Sequence, residues 1–354
     1  MKGLTLVINT GNTSTKVALF DFDKEIFVES IKHSDEILSE FDDINSQKDF
    51  REKIIIDFLN KRDIKLSNLS AVAARGGLLK PLKSGTYLVN ENMIKDLKEG
   101  KRGMHASHLS AQIGLSIATK AGVSCYIVDP ISVDEFTPVA RYSGHKLFQR
   151  IMLSHALNMK AVCKRYSKEK GLKYKNLNLL VIHLGTGISV SIHQKGVMID
   201  SINSSEEGTF SPDRSGGLPV LQVAKYIIES GSDYKTFSKK VFGSGGLQSY
   251  LGTKDFMKVE EKFKKNDNKV VEVVKAMVYQ IAKDAGSMAT VVNGVVDKIL
   301  ITGGMAYADF LVKMLTEKIK FIASIEIYPG EDEMKALAEG VARILKNEEK
   351  VMEY

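Results

Sequence analysis

The side chains able to do chemistry in this sequence fall mostly just after short apolar runs, beside glycine. Leu179–Ile182 is an apolar run of the kind a buried strand makes, and it leads through His183 and Leu184 into the turn Gly185-Thr186-Gly187. The two glycines let the backbone turn sharply and come close to a ligand. Ile188, Val190 and Ile192 then alternate with Ser189, Ser191 and His193, which predicts a second strand with one buried face. The same pattern opens the chain at Thr5–Phe20, TLVINTGNTSTKVALF. A shift of 174 residues brings Val7-Ile8 onto Val181-Ile182, Asn9 onto His183, Gly11 onto Gly185 and Asn12 onto Thr186. Such a turn offers free backbone N–H groups and small polar tips, so two copies could clamp a polyphosphate between two domains. Asn9 could hold a phosphate or a metal-bound water, and Lys16 could offset phosphate charge. A single copy would be better read as a plain hairpin with an exposed lysine; the second copy tips the balance towards phosphate.

The other polar candidates follow the same placement, the usual one for ligands in open α/β sheets. Arg75 follows the apolar run Leu69–Ala74 and precedes two glycines. Its guanidinium could hold a carboxylate or phosphoryl group with two hydrogen bonds, or bridge a strand end. Arg214 lies in FSPDRSGGLP, Phe210–Pro219, a loop too polar for a core, where it could grip an anion or pair with Asp213. Asp134 and Glu333 are acids beyond strand ends that could hold magnesium directly or through water, or simply be solvated. His155, among Leu153, Ala156 and Leu157, reads alone as a packed helix histidine. His183 could only orient its turn. Gly303-Gly304, after Lys298–Ile301, suits the close approach of a nucleotide or a plain strand-to-helix turn.

The elements that must position these groups alternate between strand and helix, so the fold class is α/β. Helices are expected at Phe50–Arg62, Glu91–Lys98, Ser107–Ala121, Gln149–Tyr166, Pro219–Glu229, Lys254–Lys264, Val270–Val292 and Met334–Leu345, the last closing the chain. Further strands are expected at Tyr126–Val128 and Ile325–Ile327. The helix Gln149–Tyr166 is placed at the crossing between the two halves. A chain of 354 residues can hold two cores. With 44% apolar and 26% charged residues it reads as a globular protein, and with no run of 18 apolar residues it has no expected membrane span. Cys125 and Cys163 fit free thiols in a reducing cytoplasm. The net charge of +7 comes from dispersed lysines without interleaved aromatics, which argues against nucleic acid as a partner. There is no GxxxxGK[ST] loop, no GxSxG elbow and no HExxH, so Walker-type NTPases, serine hydrolases and zincins are set aside.

Taken together, VINTGNTSTK, ARGGLL, HASHL, VDPISVDE, SHALN, VIHLGTGISV, TFSPDRSGGLP, ITGGMA and PGEDEMKALA resemble the acetokinase family, most closely its butyrate kinase branch. The resemblance runs through nearly the whole chain. It implies two duplicated ribonuclease H-like domains of the actin-like ATPase type with a nucleotide cleft between them. These are expected at 1–149 completed by 333–354, on the carboxylate side, and 150–332, on the nucleotide side. The implied reaction is reversible, with ATP and a short-chain carboxylate giving ADP and an acyl phosphate. By the same resemblance Asn9 lies near the phosphates and magnesium, and Arg75 and Arg214 grip the carboxylate and the transferring phosphoryl group. His155 donates to phosphoryl oxygens, and Asp134 and Glu333 are the magnesium-linked acids. Lys16, His183, Gly185, Thr186, Gly187, Gly303 and Gly304 fall to ATP. Asn12 stands where the family usually has Ser, and Thr186 where acetate kinases have Asn. Phe136-Thr137-Pro138 and Ala156-Leu157-Asn158 stand where acetate kinases carry further histidines, which favours the butyrate branch. Branched-chain fatty acid, propionate and acetate kinases are the near alternatives; a sugar kinase or an actin-like ATPase is the distant one. The resemblance further implies a cytoplasmic homo-oligomer, a dimer or larger, with no membrane partner.

Overall fold

The computed structural model describes residues 3–203 and 205–354. The chain forms two compact units, Met1–Val133 with Asp332–Tyr354, and Asp134–Glu331. The first contains strands β1 (Leu4–Thr10), β2 (Ser14–Asp21), β3 (Lys24–Lys32), β4 (Ala71–Ala74), β5 (Thr86–Leu88) and β6 (Ser124–Val128), in the order β3-β2-β1-β4-β6-β5. The second contains β7 (Asn178–Leu184), β8 (Ile188–Gln194), β9 (Val197–Ile202), β10 (Lys298–Gly303) and β11 (Ile325–Pro329), in the order β11-β10-β7-β8-β9. Both sheets share one plan: a three-stranded antiparallel meander whose first strand pairs in parallel with a later strand, and that one with another. β1 and β7 begin at Leu4 and Asn178, and β2 and β8 at Ser14 and Ile188, so the 174-residue shift seen in the sequence superposes both pairs.

The first strand of each meander is apolar on both sides because both faces of its sheet are covered. In the first unit, Leu6 and Ile8 share a core with Leu109 and Ile113 of the helix His108–Ala121. That helix is built of small residues because it lies close to the sheet: a Cβ on Gly114 would fall 2.8 Å from Cys125 Sγ. The other face meets the helix Glu333–Leu345, where a Cβ on Gly340 would fall 2.5 Å from Val128 Cγ1. In the second unit, Leu180 and Ile182 pack with the helix Asn268–Thr290, while Leu179 and Val181 pack with the helix Ala156–Glu169.

Several sequence expectations are corrected. The helix predicted over Gln149–Tyr166 begins only at Ala156, with His155 as its N-cap. The chain before it is irregular because Arg150 is held by Glu207, Ala140 O and Ser201 O, and Ile151-Met152-Leu153 has no helical spacing. The crossing into the second unit comes at Val133/Asp134 rather than after Gln149. Residues beyond it are pinned to the second unit: Lys160 Nζ donates to Glu135 Oε2 at 2.5 Å, Met198 N to the same oxygen at 2.8 Å, and Thr137 N to Ile199 O at 3.1 Å. The helices Tyr234–Val241, Gly246–Leu251 and Asp309–Ile319 were not anticipated. The closing helix is followed by a short extended segment whose Met352 pairs with Tyr87. The helix Val220–Ser230 buries none of its residues, and Val220, Leu221 and Ile228 are exposed. Among the described residues no helix is long and apolar enough to cross a membrane.

Candidate active site

In the first unit three of the sequence-predicted groups meet at the carboxyl ends of neighbouring parallel strands. Asn9 sits near the end of β1 and Arg75 just past the end of β4, its backbone N–H donating to Ile8 O at 2.9 Å. Glu333 opens the helix Glu333–Leu345, where its negative charge suits the helix N-terminus. One carboxylate oxygen accepts from Asn9 Nδ2 at 2.8 Å, and the other lies 3.1 Å from Arg75 Nη2. The second guanidinium nitrogen, Arg75 Nη1, is buried with no hydrogen-bond partner among the described residues. A buried guanidinium donor without an acceptor is costly unless a ligand supplies one. Lys16 lies directly across the β1–β2 ladder from Asn9 and is exposed. His105 was not singled out from the sequence; its surroundings, and then the Arg75 charge, hold its ring below the ordinary histidine range.

The second unit gathers the other glycines around an arginine and two histidines. The rings of His155 and His183 stack at 3.9 Å between centroids, 14° from parallel. His183 Nδ1 lies 2.9 Å from Asn158 Oδ1 and His155 Nδ1 lies 3.0 Å from Ser189 Oγ, so both rings are fixed in orientation. His183 Nε2 comes within 3.1 Å of Glu331 Oε1, an ion pair when the ring is protonated. A side chain at either glycine of the turn would press on a neighbouring side chain. A Cβ on Gly185 would fall 2.5 Å from Glu331 Oε1, and one on Gly187 would fall 2.4 Å from Arg214 Nη1. The loop carrying Arg214 is clipped to the turn by Ser211, whose hydroxyl donates to Thr186 O at 2.6 Å. The Arg214 guanidinium lies over the Phe242 ring at 4.5 Å, with Asp213 Oδ1 at 3.9 Å. Burial pushes it below its ordinary value against the pull of Asp213. Gly303 ends β10 at φ +97° against the Leu184 carbonyl, where only glycine fits, and Gly304 faces open space.

Asp134 joins none of these groups within its unit. Its two oxygens accept from Arg141 Nη1 and Nη2 at 2.8 and 2.7 Å, a bidentate pair. The acids following β11 part company: Glu331 turns to the glycine turn of the second unit, while Glu333 turns to Asn9 and Arg75 in the first. Sequence reasoning missed Glu331. The run Glu331-Asp332-Glu333 was its signal, but the run carries no hint of which acid faces which way.

Butyrate kinases 1 and 2 of Clostridium acetobutylicum are each 45% identical to this chain, the first over 350 residues covering 99% of both chains, the second over 355 residues covering all of both. A model described as the acetokinase family matches residues 140–349. The chain belongs to the acetokinase family. Membership makes it an enzyme, a phosphotransferase of the kinase type that acts on a carboxyl group. The fold is that of solved acetokinase-type structures. The acetate kinase of Porphyromonas gingivalis is similar with a TM-score of 0.77 and 16% identity, over 97% of this chain and 100% of that one. A propionate kinase of Francisella tularensis is similar with a TM-score of 0.77 and 17% identity, over 96% and 98%. The two sheets therefore carry the fold of these acetokinase-type structures.

Proposed function

We propose that the protein is a butyrate kinase, which transfers the γ-phosphoryl group of ATP reversibly to a short-chain, linear or branched carboxylate. The observation that carries the reading is the full-length likeness to two butyrate kinases, and the site chemistry supports it. A carboxylate is already a nucleophile at neutral pH, so the site needs no strong base. Its task is to bring two anions together and align them. A carboxylate oxygen forms the new bond to the γ-phosphorus as the bond to the β-phosphate oxygen breaks, and ADP leaves.

On this reading Arg75 and Arg214 grip the carboxylate and the phosphoryl group in flight. Arg75 has a buried donor unused among the described residues, and Arg214 is braced by Phe242 and by the back of Gly187. Ser189 Oγ lies 3.0 Å from His155 Nδ1; with the hydroxyl as donor, the ring carries its proton at Nε2, where it would serve a phosphoryl oxygen. Asn9, Lys16 and the turn Gly185–Gly187 with His183 hold the phosphates, and Gly303-Gly304 leave room for the nucleoside. The division of labour follows: the unit Met1–Val133 with Asp332–Tyr354 serves the carboxylate, and the unit Asp134–Glu331 serves the nucleotide. Magnesium is a hard cation that takes oxygen ligands and keeps waters when phosphates share its shell. Glu333 and Asn9 offer oxygens of that kind. Asp134 would join them only where Arg141 releases an oxygen. When bound, the ion would offset phosphate charge. A cytoplasmic homo-oligomer, dimer or larger, goes with the reading.

The test is ADP release from Mg-ATP with a panel of straight and branched carboxylates, with hydroxylamine trapping acyl phosphate. The expected result is a hydroxamate signal strongest with butyrate or a branched acid of similar size. ADP release indifferent to every carboxylate would overturn the proposal. Arg214→Ala should lose about 3 kcal/mol of transition-state stabilisation.

A further inference from the structure

Among the described residues Arg51 is the largest fully buried side chain, with no exposed surface. It lies on the helix Lys48–Asn60, under the tip of the first glycine hairpin. Nη1 donates to Gly11 O at 2.9 Å, Ser14 O at 2.9 Å and Thr15 Oγ1 at 3.2 Å. Nη2 donates to Asn12 O at 2.9 Å and Gln47 Oε1 at 2.8 Å, and Nε to Gln47 Oε1 at 3.1 Å. Every one of these acceptors is neutral. Burial lowers the pKa of the guanidinium, and His33, bonded to Thr15 Oγ1, is held below its ordinary range by burial and then by the Arg51 charge.

A buried charge is normally met by an opposite charge, because desolvation makes a lone one costly. Here the turn carbonyls take that role, and the result is directional. Three carbonyl oxygens that would repel an anion at the tip are drawn inwards, while Asn12 and Thr13 stay exposed at the tip. The charge of Arg51 stands one peptide layer behind them, unneutralised. A fixed positive charge behind a ring of oriented peptide dipoles is a preorganised anion site.

We propose that Arg51 is a positioning residue for nucleotide phosphate at the first hairpin, acting through the turn peptides by shaping the tip and by its uncancelled charge. The proposal rests on the phosphate reading of that hairpin.

Gln47→Glu separates charge from scaffold. The glutamate keeps the acceptor for Nε and Nη2, places a carboxylate four residues before an arginine on the chain, which favours the helix, and cancels the buried charge. MgADP affinity by titration calorimetry, the KM values for MgATP and butyrate, kcat and the thermal midpoint are measured for the wild type, Gln47→Glu and Arg51→Lys. The expected result for Gln47→Glu is an unchanged or raised midpoint, MgADP affinity and MgATP KM worse by about tenfold, and a butyrate KM within about a factor of two. Arg51→Lys, which keeps the charge but not the fork, should retain more MgADP affinity than Gln47→Glu at a lower midpoint. MgADP affinity and MgATP KM unchanged in Gln47→Glu would overturn the proposal, because a purely structural arginine would not register the added charge. Wild-type protein that binds MgADP but releases no ADP with any carboxylate would reject the butyrate kinase reading and leave the Arg51 comparison intact. Wild-type protein that does not bind MgADP would reject both.

Discussion

Gly187→Ala adds one methyl group at the point where the second glycine turn backs onto Arg214. The new Cβ would lie 2.4 Å from Arg214 Nη1, 2.7 Å from Cζ and 3.1 Å from Nη2. Ordinary contact between such atoms is roughly 3.5 Å, so the guanidinium has to retreat by about 1 Å. It can do so, because it is the far end of a flexible side chain rather than backbone. The backbone raises no objection either, since Gly187 is not among the glycines at positive φ. The cost to folding should therefore stay under about 1 kcal/mol. The cost to the reaction should not. A misplacement of about 1 Å in a group that aligns the reactants is worth on the order of a hundredfold in rate, or about 2.7 kcal/mol. The assay is steady-state kinetics with MgATP and butyrate beside a thermal melt of the same preparation. The expected result is kcat/KM down by about a hundredfold with the melting midpoint moved by no more than a few degrees. Turnover within about a factor of three of wild type would refute the placement of Arg214 in the reaction, and a collapsed melting midpoint would refute the view that only the guanidinium yields.

Gly303→Ala should behave in the opposite way: φ is +97° and the added Cβ would lie 2.4 Å from the Leu184 carbonyl, which is backbone and cannot step aside. A loss of about 2–4 kcal/mol in urea unfolding is expected, and stability within about 0.5 kcal/mol of wild type would contradict the close packing of β10 on β7. Burial pushes the Cys163 thiol up to about 12 and the Cys125 thiol higher still. Neither should react with a thiol-specific disulfide reagent at about pH 8 in the native protein, while both titrate in denaturant; one equivalent released without denaturant would contradict their burial. Burial, and then the charge of Lys160, hold His193 well below the ordinary value of 6.5. The unfolded chain takes a proton there that the folded chain refuses, so this contribution to stability is complete above about pH 6.5 and declines as the pH falls, by up to about 1.4 kcal/mol per pH unit. His193→Gln should flatten the dependence of unfolding free energy on pH between about 6.5 and 5 by nearly one proton; an unchanged slope would show that His193 does not carry it.

How much of this could be read without coordinates depends on how far apart the interacting residues lie. The two hairpins were legible because their signal is local: apolar runs, a glycine turn and alternation all fall within about twenty residues, and the repeat spacing survives in both β-strand starts. The arginine after β4 and the glycine pair ending β10 were legible for the same reason, as strand ends are marked by a change of composition. The helix carrying His155 was drawn too long because Arg150 is drawn to Asp200 and Glu207, fifty and more residues on, and no local pattern announces that. The first crossing was placed too late because the buried Lys160 holds Glu135 to the second unit, another pairing between distant positions.

The sequence by itself determined the duplicated glycine hairpin, the glycines at its two tips and the set of charged residues at strand ends, because backbone propensity and burial period are written into neighbouring positions. Tertiary structure alone decided what those charges do. It joined Asn9 to Glu333 across 324 positions, sent Glu331 to one unit and Glu333 to the other, gave Asp134 to Arg141, and set Arg51 beneath the first hairpin. A side chain's partner is fixed by which elements the sheet order brings side by side, and that order is a property of the whole packed core rather than of any short stretch of chain.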